Sequence, residues 1–168
     1  MPDPTSTLRL PVPRNKKQRL FVVVWVFMAL ILALFLFAFI SIRLLSAVRA
    51  YVEAEGLWSK GQKDAVYALA RYTLYADEAE YAAYLAALSV NQGDRQARLE
   101  LEKPDPDMGV AYAGFLQARN HPDDINGMIF LFRRFRQFPD IDKAISIWTA
   151  ADLQIEELRA VGKRIRAK

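Results

Sequence analysis

Several residue types that carry common chemistries are scarce in this chain of 168 residues. It has no cysteine, which excludes disulfides and thiolate metal ligands, and its single histidine is His121. It has no glycine-rich phosphate loop, no HExxH sequence and no serine with a histidine at a suggestive spacing. The acidic pairs at 105/107 and 123/124 coincide with turn and capping positions. We therefore expect no catalytic residue, no metal site and no cofactor in this segment.

Alternation of apolar and polar residues with β-branched enrichment is also missing. Strands that are buried on one face require that alternation, whereas apolar residues at steps of three and four recur through most of this chain. The sequence therefore predicts an all-α protein.

Charge is absent from one long stretch. The 23 residues between Arg19 and Arg43 contain no charged side chain, no glycine and no proline. As a helix this run is about 35 Å long, and a bilayer core needs about 20 apolar residues. A buried helix of this length would normally show a polar face, and this one has none. We predict an uncleaved transmembrane signal-anchor helix over residues 20–45.

The flanks of the run predict its orientation. Four basic residues and no acid lie just before it, at Arg14, Lys16, Lys17 and Arg19, as the positive-inside rule expects for a cytoplasmic flank. Residues 1–19 then form a short basic cytoplasmic tail, and residues 46–168 lie across the membrane. The alternative is a cleavable signal peptide, but its apolar region is usually shorter and residues 44–50 make a poor cleavage site.

The net charge of +4 does not indicate nucleic-acid binding. Seven of the 23 Lys and Arg residues, but only one of the 19 acids, lie in the first 50 residues, so residues 51–168 carry a net charge of −2. The basic excess belongs to the flanks of the apolar run, which face lipid. We expect the lipid bilayer, and no nucleic acid, as a partner.

Capping residues divide the remainder into helices. We expect the first helix to continue to about residue 75, with a possible bend at Gly56 or Gly61, and Asp77 to cap the second. "NQGD" at 91–94 predicts a stop and a new short helix over 95–102. The predicted apolar stripe of the second helix includes Leu85.

Three later turns are predicted in the same way. Asp107 should cap a helix over about 108–119, and Asp123 or Asp124 should cap the one that follows. Pro139 should end that helix, and Asp140 should begin the last one.

The last helix shows the clearest pattern in this part of the chain. Its apolar residues alternate steps of three and four from Ile141 to Ile165, a heptad seam whose one gap is Gly162. The seam packs either within the domain or across a dimer. No glycine or proline terminates the helix before Lys168, and we expect a longer chain of which this is the front part.

Aromatic and basic residues outline a candidate ligand site. Arginine offers a bidentate fork for a carboxylate or phosphate, so a small anionic ligand is one hypothesis. The alternatives are ordinary core aromatics, solvated arginines and a simple turn at His121. The candidate ligand contacts are Trp58, Tyr72, Arg119, His121, Arg133, Arg134 and Trp148.

The chain resembles helical extracytoplasmic sensor regions of bacterial transmembrane signalling proteins. The resemblance covers about residues 45–168 and lies in the order of anchor, long helix and the stretch "NHPDDI…LFRRFR…IDKAI". Related regions occur in membrane-bound diguanylate cyclases, sensor histidine kinases and chemoreceptors. The resemblance implies a bacterial inner-membrane location, a periplasmic sensor domain and no catalytic residue in this part.

Two functional hypotheses follow. The first is a signal-input module, expected to be a homodimer, that transmits a periplasmic stimulus by displacing the membrane helix. The second is a single-pass periplasmic scaffold, or a subunit of a larger membrane complex, that binds a partner through its helical surface.

Overall fold

The computed structural model describes residues 16–167, apart from the side chains at 140 and 144. The described chain is helical and contains no strand, which confirms the all-α prediction. Most of the predicted tail, residues 1–15, lies outside the described residues. The helices are α1 Lys16–Tyr75, α2 Glu78–Leu101, α3 Met108–Gln117, α4 Pro122–Phe135 and α5 Pro139–Arg166.

The chain divides into two units, residues 1–41 and 42–168. In the first unit every described residue is helical and exposed, although most are large and apolar. By length and composition α1 is the one helix among the described residues that could cross a membrane. One candidate membrane-spanning helix therefore lies near the N-terminus.

In the second unit, α1 is buried through small residues. The buried positions are Ala47, Ala50, Ala54, Gly61, Ala65, Ala68 and Leu69. Gly61 lies against α2, because a Cβ there would be 3.1 Å from the Cβ of Val90 and 3.2 Å from the carbonyl of Ala87. The helix continues through both Gly56 and Gly61, so the expected bend does not interrupt it.

Asp77 caps α2 as predicted, its Oδ1 accepting a hydrogen bond from the Ala79 amide at 2.9 Å. The predicted stop at 91–94 was wrong, because α2 continues to Leu101. Gly93 instead allows two backbones to approach: a Cβ at 93 would lie 2.6 Å from the Gly114 carbonyl oxygen. The glycine serves helix packing rather than helix termination.

Of the next two helix caps, one is as predicted and the other lies two or three residues before the predicted position. Asp107 caps α3 as expected, accepting from the amides of Gly109 and Val110. The predicted cap at Asp123 or Asp124 was wrong: His121 is the N-cap, and its Nδ1 accepts from the Asp123 amide at 3.3 Å. Both acids lie in the first turn, where the helix dipole favours them.

The boundary between α4 and α5 was also misplaced. The helix α4 ends at Phe135, and Pro139 is the first residue of α5 rather than the terminator of α4. Proline at a first helical position loses no intrahelical hydrogen bond, which explains this placement.

The apolar seam of α5 packs inside the domain. Ile145 and Ile155 are buried, and the gap at Gly162 holds the ring of Tyr84, whose hydroxyl would lie 2.5 Å from a Cβ at 162. That hydroxyl donates to the Leu158 carbonyl at 3.0 Å. The seam therefore has its partner within the same chain.

Two apolar clusters fill the domain. The first joins α1 to α2, α3, α4 and the start of α5, and the second joins the end of α1 to the start of α2 and the end of α5. Leu85 was wrongly predicted to belong to the inward stripe of α2, and is 46% exposed. The first cluster contains Ala50, Ala54, Ala97, Leu101, Ala111, Phe115, Ile125, Met128, Ile129, Phe132 and Ile145. The second contains Ala65, Ala68, Leu69, Tyr81, Tyr84, Ala87, Leu88 and Ile155.

Candidate functional site

An apolar groove opens beside the first cluster, between α1, α4 and α5. Its volume is about 270 Å³, and we call it the aromatic groove. Its wall residues are Val48, Tyr51, Val52, Glu55, Leu131, Phe132, Ile141, Ile145 and Trp148. A cavity of about 150 Å³ admits benzene, so this groove has room for one small ring compound.

Two aromatic rings form one wall of the aromatic groove. Tyr51 and Trp148 are stacked, with ring centroids 6.1 Å apart and planes 12° apart. The Tyr51 hydroxyl donates to the Met128 carbonyl at 3.0 Å, which fixes the ring against α4. Burial, with the nearby Asp94, raises the pKa of Tyr51, so the hydroxyl stays protonated and keeps that bond.

The charges at the groove define the ligands that fit it. Glu55 is the one charged residue in its lining, and it is exposed at the rim beside Val52. No arginine or lysine lines the groove to neutralise an anion. The aromatic faces and the carboxylate therefore suit a neutral or positively charged ring compound better than an anion.

A buried polar cluster lies between α2 and α5, and we call it the Arg98 cluster. Arg98 is 2% exposed, and its guanidinium meets Asp152 Oδ2 at 2.6 Å and donates to Thr149 Oγ1 at 2.9 Å. Arg95 approaches the same Asp152 oxygen at 3.5 Å and also Glu156 at 3.5 Å. The cluster joins α2 to α5 by charge, beside the apolar contacts that the two helices also make.

Asp94 gives the Arg98 cluster an acid that titrates near neutral pH. Burial raises the pKa of Asp94 to about 6; Arg98 opposes the rise and Asp152 adds to it. The Nε atoms of Arg95 and Arg98 are buried without a hydrogen-bond partner. A buried donor without a hydrogen bond costs stability, so these two atoms offset part of what the ion pairs contribute.

One hydrogen-bond chain connects the Arg98 cluster to the aromatic groove. Thr149 accepts from Arg98 and donates to the Ile145 carbonyl at 2.9 Å. The side chain of Ile145 lines the groove. The same helix, α5, therefore carries Ile145 at the groove and, two turns later, Asp152 of the ion pair with α2.

The predicted ligand contacts do not converge on one site. Of the seven, Trp148 alone lines the aromatic groove. Trp58 and Tyr72 pack against the second cluster, where the Trp58 carbonyl accepts from Asn91 Nδ2 at 2.9 Å. Tyr72 meets Tyr81, with ring centroids 5.0 Å apart.

The four polar candidates lie on helix ends and exposed faces. Arg119 has φ of 67° and donates to the Ala86 carbonyl at 3.4 Å. His121 caps α4, while Arg133 and Arg134 are exposed beside Phe130. Arg133 and Arg134 line one hollow with Phe130, but Arg119 and His121 do not, so a single anionic site formed by all four stays a prediction.

Apart from Trp148, the sequence did not identify the residues of the groove wall or of the Arg98 cluster as a site. Tyr51 sits four residues after Ala47 and three before Ala54, so its helical step places it on the buried face. Arg98 follows Ala97 and precedes Leu101 on the inward side of α2. A charged residue on an apolar face is a signal for a buried ion pair, and it was available in the sequence.

The described residues, 16–167, include no group of three or more His, Asp or Glu side chains placed to hold a metal ion. No protein-family model, curated protein or solved structure matches this chain.

Proposed function

We propose that this chain is the input part of a bacterial membrane receptor, in which the helical domain binds a small ring compound in the aromatic groove. Residues 20–42 would cross the inner membrane, with the basic tail in the cytoplasm and residues 46–168 in the periplasm. The observation that carries the proposal is that α1, the helix with the apolar run, also forms a groove wall through Val48, Tyr51 and Val52.

The groove chemistry supports a neutral or cationic ring compound as the ligand. A flat ring stacks on Tyr51 or Trp148, and a positive group on it is stabilised by the ring faces and by Glu55. This replaces the small anionic ligand expected from the arginines, because those arginines do not line the groove.

Transmission requires that the ligand bind two arrangements of the domain unequally. A compound entering between α1 and α5 separates Tyr51 from Trp148 and displaces Ile145, whose carbonyl is bonded to the Arg98 cluster. The helix α1 then shifts to a second position relative to α5. The apolar run, which is the first part of the same helix, moves with it. When the ligand leaves, the ion pair of the Arg98 cluster favours the return of α5 to its original position.

Binding is tested by the thermal stability of the full chain in detergent micelles with indole, tryptamine or indole-3-acetate. A ligand at 100 times its Kd stabilises by about 2.7 kcal/mol, so indole and tryptamine should raise Tm clearly and the anionic acetate should not. Val52→Trp fills the groove rim and should abolish the shift, while Val66→Trp, on an exposed face elsewhere on α1, should retain it. A shift with indole-3-acetate alone, or one retained in Val52→Trp, contradicts the assignment.

Transmission is tested separately with a spin label at Ile40→Cys, which is unique because the chain has no cysteine. In nanodiscs, the ligand that raises Tm should change the label's mobility or depth. Four glycines inserted after Leu44 should remove that change and leave the Tm shift. An unchanged Ile40 label, with the Tm shift present, would make the domain a binding module that transmits nothing.

The predicted homodimer has one observation in its favour. Residues at seven-residue spacing along α1 include the exposed Leu45, Val52 and Val66, a stripe suited to a second copy of the same helix. Oxidative cross-linking of Val66→Cys in membranes tests this, with Gln96→Cys on α2 as the control. Selective dimers at 66 support the predicted homodimer, and equal cross-linking at both positions contradicts it.

A further inference from the structure

The turn between α4 and α5 lies at the end of the domain where the chain enters at Ile42. Helix α5 follows α1 in the same direction: Ile145 shares the groove with Val48, and Ile155 shares the second cluster with Ala65. Phe138 precedes Ile145 by about 10 Å of helix, and Ile42 precedes Val48 by about 9 Å.

This end of the domain exposes aromatic surface. Phe130 is 60% exposed and Phe138 is 56% exposed, and each ring meets that of Phe135, at centroid distances of 6.4 and 5.5 Å. Ile42 and Leu45 are also exposed, at 68% and 71%. Exposed aromatic and aliphatic residues at one end of a domain are unfavourable in water.

Two arginines accompany the exposed rings. Arg133 and Arg134 are exposed and form no ion pair within residues 16–167, whereas the neighbouring Arg136 pairs with Glu102 at 3.3 Å. Both line a hollow of about 380 Å³ with Phe130 and Met108, and no acid lines it. The hollow presents two guanidinium groups beside apolar surface, a combination that fits a phosphate attached to an acyl chain.

We infer that the patch of Phe130, Arg133, Arg134 and Phe138 rests on the membrane surface. The phenylalanine rings enter the boundary between headgroups and acyl chains, and the two arginines bind phosphates of anionic lipid. The inference depends on the proposed membrane span, which holds the domain near the bilayer. It gives the α4–α5 turn a role that the ligand groove does not explain: lipid contact fixes the start of α5 while α1 moves.

The test uses the full chain, one copy per nanodisc, with single spin labels. Gln137→Cys reports on the patch, Thr73→Cys on the other end of the domain, and Leu34→Cys on the span. Accessibility to oxygen and to a water-soluble nickel chelate gives the depth of each label. We expect the label at 137 to be protected from the chelate in discs of mixed phosphatidylcholine and phosphatidylglycerol, the label at 73 to be open, and the label at 34 to be deeply buried.

Charge provides the second arm of the test. Each basic residue near an anionic surface contributes about a factor of five in binding. Arg133→Gln with Arg134→Gln should therefore lower the ratio of lipid-bound to unbound patch, as reported by the label at 137, about 30-fold. The matched control, Lys163→Gln with Arg164→Gln, removes a neighbouring cation pair at the other end of α5 and should have no effect. Discs of phosphatidylcholine alone should mimic the arginine variants.

The outcomes separate the two proposals. A buried label at 34 with a label at 137 as open as that at 73 overturns the lipid patch and leaves the span intact. An open label at 34 overturns the span itself. Protection at 137 that is unaffected by lipid charge and by both arginine substitutions overturns the phosphate contact.

Discussion

The two halves of α1 meet their surroundings in opposite ways. From residue 16 to 46 every side chain is exposed, and the run 20–42 is made of Leu, Val, Ile, Phe, Ala and a few other uncharged residues. From residue 47 onward the buried side chains are mainly Ala and Gly, and the exposed ones include Glu, Lys and Arg. Large apolar residues point outward where the surroundings are suited to lipid, and small ones point inward where other helices approach.

The difference shows that hydrophobicity alone does not locate the core of this protein. The domain is held by close helix approach at residues such as Gly61 and Ala65, and by a few large side chains that reach across it, including Tyr84 and Phe115. Where Tyr51 and Trp148 meet instead, the helices stand apart and the aromatic groove opens.

Placing charge in each half should give the largest contrast. Leu32→Arg with Leu36→Arg adds two charges to the run at about 3 kcal/mol each, so we expect the chain to leave the membrane fraction after alkaline extraction. Val66→Arg with Ala70→Arg adds the same charges to exposed positions of the second half and should leave the membrane fraction unchanged. Equal extraction of both variants would show that the run does not depend on lipid.

The domain tolerates a buried charge only when it is paired. Asp152→Ala leaves the Arg98 guanidinium buried without its 2.6 Å partner, and we expect it to cost about 3–5 kcal/mol of unfolding free energy. Unfolding in detergent micelles, followed by tryptophan fluorescence, measures the loss. Glu157→Ala on the exposed face of α5 is the control, and a double variant with Arg98→Met and Asp152→Leu should recover most of the stability. A loss for Asp152→Ala equal to that of the control contradicts the assignment.

Asp94 should make the stability of the domain depend on pH. Its pKa rises from 3.8 to about 6 on folding, so the folded state binds the proton more tightly than the unfolded chain. Stability from this group is therefore greatest at low pH and falls as pH rises through that window, by about 3 kcal/mol in total.

Asp94→Asn should remove this slope and be more stable than the wild type above pH 6. The measurement is the difference in Tm between the two proteins across the pH range. A constant difference would show that Asp94 ionises as freely in the folded state as in the unfolded chain.

Two glycines should respond oppositely to the same small change. Gly93→Ala places a Cβ 2.6 Å from the Gly114 carbonyl oxygen and should cost about 1–3 kcal/mol through displacement of α3. Gly56 has no atom within 4 Å of the corresponding position, so Gly56→Ala should gain up to about 1 kcal/mol of helix propensity. Chemical unfolding of both variants tests this, and effects of the same sign would contradict the close α2–α3 crossing.

Local signals in the sequence predicted the helices well. Asp77 and Asp107 accept hydrogen bonds as caps because capping depends on residues two or three positions away. The α5 seam was predicted because its period is carried within one helix. The helix stop predicted from "NQGD" was wrong because Gly93 packs closely against Gly114 on α3, a contact that the local sequence does not reveal.

The groove and the ion pair depend on contacts between distant parts of the chain. Tyr51 meets Trp148, and Arg98 meets Asp152, across α1, α2 and α5. Aromatic residues at helical spacing did not distinguish Trp148, in the groove, from Trp58, in the second cluster. Only the packing of the helices separates core aromatics from groove aromatics.

Membrane topology tests the central claim most directly. Single cysteines at Ser6→Cys and Thr73→Cys, each in the full chain expressed in a bacterial host, are treated with a membrane-impermeant maleimide. A single crossing with the basic tail inside predicts that Thr73→Cys is labelled in intact spheroplasts and that Ser6→Cys is labelled only after lysis. Labelling of Ser6→Cys in intact spheroplasts, or recovery of the chain in the soluble fraction without detergent, would contradict the account.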